Sequence, residues 1–246
     1  RELPYYTRAR SSKSTTIIEQ LDTCMVMGTR VGYGRLRITE QVTGYDRKLV
    51  ATQKSIGIVP LDLPELEFET QGIWIEIPDK VRDKIESDRL HFMGGIHAVE
   101  HAAIGIMPLL VMTDRNDLGG ISTPFHPQTG GAAVFIYDGI PGGLGLSKQA
   151  FDTAENLLKQ TLEVIATCPC DTGCPACVHS PKCGSGNRPI DKFSAKIMLE
   201  MILTGNPPAS FSREHPRGPL GSPVLAADSL EADRREKTKT SGLDLS

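Results

Sequence analysis

Cys168-Pro169-Cys170-Asp171-Thr172-Gly173-Cys174-Pro175-Ala176-Cys177-Val178-His179-Ser180-Pro181-Lys182-Cys183 is the stretch that decides how this chain must fold. It packs five of the six cysteines into sixteen positions, with Pro169, Gly173, Pro175 and Pro181 between them. Residues of this kind cannot build an apolar core, so another force must hold them in one shape. A tetrahedral zinc ion is the simplest candidate. Cys174 and Cys177 form a C-x-x-C knuckle, in which two thiolates can bind one ion while backbone amides point at the sulfurs. Cys170 upstream and Cys183 downstream can fold back through turns at Gly173 and Pro181 to complete the set. Cys168 is then a fifth thiol for four places, either a spare or a substitute for Cys170, and spacing alone does not choose between them. Four thiolates close the coordination shell, which makes a single Zn2+ structural and leaves no place for a catalytic water.

Disulfides are the competing explanation, and compartment weighs against them. The first residues show no charged start, apolar run and small-residue cleavage site of a secretory signal. Six cysteines in 246 residues is far below the density of a stapled secreted module. Cys24 stands alone in an apolar run, as a small buried hydrophobe would. The expected setting is therefore a reducing, cytoplasmic one. Apolar runs are too short for a membrane span, the longest being broken by Pro108.

The chain is 39% hydrophobic and long enough for one large core or two small ones. Its net charge of −3 is unevenly spread: residues 1–55 hold ten Lys/Arg against five Asp/Glu, and residues 56–204 hold eleven against nineteen. A basic first part containing Arg30, Arg35, Arg37, Arg47 and Lys48 is compatible with a polyanion partner, although exposed strands are also basic for solubility alone.

From Thr15 to Thr52 the pattern is β-rich, and Arg35-Leu36-Arg37-Ile38-Thr39 alternates like a half-buried strand. Another extended stretch runs from Glu67 to Ile77. Pro78 and Asp79 then open a short helix carrying Val81 and Ile85. Helical spacing from Gly95 to Met107 should stop or kink at Pro108. Ala132 to Tyr137 reads as a buried strand, followed by a glycine-rich turn and by Ser147 as N-cap of a long helix through Ile165. A last helix, with Phe193, Ile197 and Met201 on its stripe, ends at Gly205. The expected architecture is α+β: a small β-rich, barrel-like domain over residues 1–72, a mixed helix and strand zinc-binding domain over 73–204, and a proline-rich, mixed-charge tail over 205–246 expected to be disordered.

Two motifs invite an enzymatic reading. His97-Ala98-Val99-Glu100-His101 matches H-x-x-E-H, in which two histidines one helical turn apart hold zinc and the glutamate activates water. A metallohydrolase would need a third ligand, for which Glu155 and Glu163 are available; the plainer alternative is polar residues hydrogen-bonded across a domain interior. Asp138 to Ser147 reads as strand, glycine turn and helix start, a geometry that can hold a phosphate or simply allow close packing. It is not a Walker A loop, so this chain is not expected to hydrolyse ATP in the P-loop manner.

Several segments together resemble a known family. They are Tyr5-Tyr6-Thr7, R-I-T-E-Q-V-T-G-Y from Arg37, L-D-L-P-E-L-E-F-E-T-Q-G from Leu61, H-A-V-E-H-A from His97, Y-D-G-I-P-G-G-L-G from Tyr137, and C-D-T-G-C-P-A-C-V-H-S-P-K-C-G-S-G-N-R-P-I-D-K from Cys170. In order, across residues 4–204, they resemble the C-terminal region of MrfA-like DEAD/DEAH-box helicases, which ends in the MrfA-like zinc-binding domain. The resemblance implies an accessory, metal-stabilised module of a superfamily 2 DNA helicase serving DNA repair or phage defence. It implies two RecA-like motor domains upstream that bind ATP and Mg2+, and hence a piece of a longer parent, as the opening at Arg1 also suggests. It implies DNA, in single-stranded form, and those motor domains as partners. By motif position it implies Cys170, Cys174, Cys177 and Cys183 as zinc ligands, with Cys168 an extra thiol, and it assigns His97, Glu100 and His101 to the scaffold. Lys182, Arg188 and Lys192 beside the site, with Arg35 and Arg37 on the β region, are the expected nucleic-acid contacts. A purely structural connector without DNA contact is the remaining alternative.

Overall fold

The structure, a computed structural model, describes residues 3–206, all within one compact unit. The expected disordered tail falls, from residue 207 onward, outside the described residues. Six strands form one sheet: β1 (Tyr5–Val26), β2 (Thr29–Leu49), β3 (Ser55–Pro60), β4 (Leu66–Ile77), β5 (Leu118–His126) and β6 (Gly131–Asp138). The order is β1-β2-β4-β6-β5, antiparallel throughout, with β3 paired to the far end of β2.

Strand periodicity explains the two cores. Along β4, Ile73, Ile75 and Ile77 face one side while Phe68 and Trp74 face the other; β6 does the same with Ala132, Val134 and Ile136 against Ala133, Phe135 and Tyr137. The first side is covered by helices α1 (Asp79–Ser87), α2 (Phe92–Val111), α3 (Leu146–Asp152), α4 (Ala154–Thr167) and α5 (Lys192–Thr204). Over the second side β1 curls far enough to bring Ile17 onto Trp74 and its neighbours.

This curl corrects the expectation of a barrel. Gln128 bonds both the amide and the carbonyl of Ile17, at 2.7 and 2.8 Å, and the His126 ring meets the Thr15 carbonyl at 3.0 Å. Only side chains bridge β1 to the β5–β6 end, and the ladder among the described strands stays open. The expected division at residues 72 and 73 falls inside β4, which pairs with β2 on one edge and β6 on the other.

Helix α2 runs through Pro108 to Val111 instead of stopping there. It is long and apolar enough to cross a membrane by length and composition, and it lies at the centre of the core, packed on α4, α5 and β5. Gly94 and Gly95 allow α5 to approach: a Cβ at Gly95 would stand 2.7 Å from the Cβ of Ser194. The long helix expected after Ser147 is two, separated at Thr153. Ser147 is inside α3, and the group that caps that helix is Asp138. Its buried carboxylate accepts the amides of Leu144, Leu146 and Ser147 at 2.6 to 3.2 Å, and the Ser147 hydroxyl at 2.5 Å. The amides that might have held a phosphate are thereby filled from within.

Candidate metal centres

Helix α4 ends at Thr167 and presents Cys168 at its C-cap, where the chain leaves the helix in extended conformation. Gly173, at φ +115°, then turns the chain so that Cys174 and Cys177 face Cys168 and Cys170. Sulfur separations are 3.5 Å for Cys168–Cys170, Cys168–Cys174 and Cys170–Cys177, and 3.8 Å for Cys174–Cys177. Two thiolates on one tetrahedral zinc, each at about 2.3 Å, stand about 3.8 Å apart. The donor set and its dimensions therefore fit zinc, and disulfide partners would sit far closer. All six cysteines are free.

The knuckle behaves as its spacing predicts. The amides of Cys177, Val178 and His179 converge on the Cys174 carbonyl at 3.0 to 3.2 Å, and the Cys174 amide points at the Cys177 sulfur at 3.4 Å. Lys192, in the first turn of α5, closes the loop from above: its ammonium donates to the carbonyls of Cys168 and Cys170 at 2.7 and 2.6 Å and reaches the Cys170 sulfur at 3.4 Å. Burial opposes ionisation of Cys170, but the surrounding thiols of Cys177, Cys168 and Cys174 together with Lys192 outweigh it and lower its pKa to about 7. Burial pushes Cys177 up to about 12. The pocket thus places negative charge on one sulfur first, as a site prepared for a cation would.

Cys183 is elsewhere. The segment 180–187 is a small loop of its own, clipped by Asn187, whose side chain takes the Ser180 amide at 2.8 Å and donates to the Ser180 carbonyl at 3.1 Å. That clip carries Cys183 away from the knuckle and against α2, where its sulfur lies 3.4 Å from Nε2 of His97. The structure therefore groups Cys168 with Cys170, Cys174 and Cys177, and groups Cys183 with His97 and His101. This departs from the spacing-based set, because a short loop closed on itself cannot also reach back to the knuckle. Neither carboxylate considered for the histidines joins them: Glu155 pairs with Lys159, and Glu163 is exposed on α4. Burial opposes the Cys183 thiolate, yet hydrogen bonds from His101, His97, Ser185 and the Asn187 amide bring its pKa down to about 4. Glu100, on the same helix, is buried against Gly120, and burial raises its carboxyl above the usual range.

The histidine–cysteine group lies in the wall of a cleft of about 970 Å3, which Lys182 and Arg188 also line. The other expected nucleic-acid contacts are placed differently. Arg35 and Arg37 sit on the strand face, both paired to Glu69, at 2.8 and 3.1 Å. Lys192 is turned into the four-thiol loop, as described above. Sequence reasoning missed Arg115 and Lys13 at the cleft, for which the sequence carries no local signal.

A family model described as the MrfA Zn-binding domain, MZB, matches residues 99–178, which begin inside α2 and end just after Cys177. An uncharacterized protein of Methanocaldococcus jannaschii, MJ1572.1, is 39% identical over 112 residues, covering 44% of this chain and the whole of that protein. This chain belongs to the MrfA Zn-binding domain family. Other relatives are larger. The uncharacterized ATP-dependent helicase YprA of Bacillus subtilis is 30% identical over 178 residues, which is 72% of this chain and 23% of that helicase. The crystal structure of DUF1998 helicase MrfA bound to DNA matches with a TM-score of 0.57 at 25% identity, over 83% of this chain and 26% of that one. The chain thus spans about a quarter of the length of the helicases it matches.

Proposed function

We propose that this chain is the zinc-ordered accessory region of an MZB-type ATP-dependent DNA helicase, and that it contacts DNA along the cleft. The observation that carries this reading is the position of Lys182 and Arg188, on the loop that follows the four sulfurs and on the rim of the cleft. Zinc held by Cys168, Cys170, Cys174 and Cys177 supplies folding energy to a segment without a core. The loop backbone then supports the rim cations, which neutralise phosphates of a DNA strand. The likeness to a helicase crystallised with DNA supports the choice of polyanion. Arg35 and Arg37, paired to Glu69 and, for Arg35, also to Glu19, contribute less. In this reading the strand is single-stranded, the partners are RecA-like motor domains that hold ATP and Mg2+, the setting is cytoplasmic, and the parent serves DNA repair or phage defence.

Fluorescence anisotropy with single- and double-stranded oligonucleotides at several salt concentrations tests the reading. Lys182→Ala with Arg188→Ala should weaken binding roughly tenfold at low salt and flatten the salt dependence, each phosphate contact carrying a slope of about one. Arg35→Ala with Arg37→Ala should change affinity less. Wild-type affinity in the first pair would leave the chain a structural connector.

A further inference from the structure

We infer that His97, His101 and Cys183 form a second zinc site, separate from the four-thiol centre and with an open coordination position in the cleft. The ligating atoms of these three residues all lie within 4.8 Å of one another. The histidines are one turn apart on α2, with ring centroids 4.3 Å apart. The separation of 3.4 Å between His97 Nε2 and Cys183 Sγ is close to the about 3.5 Å that a nitrogen and a sulfur keep on one tetrahedral zinc.

The orientation of the rings is the stronger argument. Nδ1 of His97 meets the Pro189 carbonyl at 2.7 Å, and Nδ1 of His101 meets the Val178 carbonyl at 2.8 Å. A carbonyl only accepts, so each Nδ1 carries its proton, and Nε2, the ring nitrogen turned toward Cys183, is the atom that ligates once a metal displaces any proton it shares with the sulfur. Such outer carbonyls are the usual means by which a protein fixes a zinc-bound imidazole. The sulfur is prepared in the same way: the Asn187 amide points at it at 3.2 Å and the Ser185 hydroxyl lies 3.1 Å away. A scaffold role for the histidines would need only one polar partner each. It does not explain two ring nitrogens and a sulfur converging on one point.

The donor set selects the ion. Two imidazoles and a thiolate suit borderline zinc rather than magnesium or calcium. Three protein ligands leave a fourth position, which a water or a ligand entering the cleft would fill, whereas the four-thiol centre is closed. All three residues line the cleft, and Glu100 lines it beside them. The inference does not depend on DNA contact, and its test reads metal content instead of DNA affinity.

Elemental analysis of the purified full chain should find about two equivalents of zinc. Cys183→Ser and, separately, His101→Ala should each lose about one equivalent and keep the far-ultraviolet circular dichroism of the wild type. Cys174→Ser should lose the other equivalent. A cobalt titration of metal-free protein gives a second measurement that survives a folding defect in any variant: two phases are expected, the second with the weaker absorption of a single thiolate. One equivalent that Cys183→Ser and His101→Ala leave in place would overturn the inference. So would a single equivalent lost on both Cys174→Ser and Cys183→Ser, which would mean one shared ion.

Discussion

Two loops in this molecule carry too little apolar surface to hold a shape, and they are organised by opposite charges. The loop between β6 and α3 gathers its amides around an internal anion, the Asp138 carboxylate. The loop between α4 and α5 gathers sulfurs that need a cation from outside, and among the described residues Lys192 offers the internal one. The difference teaches that a loop rich in N–H groups can be completed by one residue of the chain, whereas a loop that converges four thiolates cannot. One lysine does not balance them, so this second loop is conditional on metal.

The largest effect should come from removing a sulfur. Cys177→Ser should release the metal and unfold residues around 168–179, seen as proteolytic cleavage there. Prolonged chelation should do the same to the wild type, because a structural zinc contributes about 10 kcal/mol to such segments. Asp138→Ala should come next. It leaves the buried amides of Leu146 and Ser147 and the partly buried amide of Leu144 without their acceptor, at a cost of about 3–5 kcal/mol in chemical denaturation. Chelator should not alter that cost, since no metal is involved; a chelator-sensitive Asp138 defect would dissolve the contrast between the loops. Lys192→Met should be the mildest, at about 1–3 kcal/mol. It should weaken zinc retention at the four-thiol centre while leaving the Asp138 loop intact.

Much of the local structure was legible in the sequence. Pro78 and Asp79 do open a helix with Val81 and Ile85 buried, and Gly205 does end α5 in the left-handed conformation. Such signals are local, a cap or a period, and need no knowledge of the rest of the chain. What was not legible depends on distant pairing. The continuity of β4 across residues 72 and 73 is decided by β2 and β6 on its edges, and nothing in Gln71-Gly72-Ile73 announces it. The metal centre was half legible. The knuckle of Cys174 and Cys177 follows from spacing, but the exchange of Cys168 for Cys183 depends on where α4 ends and on the Asn187 clip. The H-x-x-E-H pattern correctly placed two histidines on one helical face. Its missing partner came from a loop more than eighty residues later, beyond any motif.

The hairpin turn between β1 and β2 has a consequence for the order of synthesis. The Gly28 amide donates to the Ile202 carbonyl near the end of α5, and Arg8 reaches the carbonyls of Cys183 and Gly184. Strands β1 and β2 therefore find these neighbours only once α5 has been made. Until then the apolar helix α2 waits without its cover, and a nascent chain of this design has reason to recruit a chaperone.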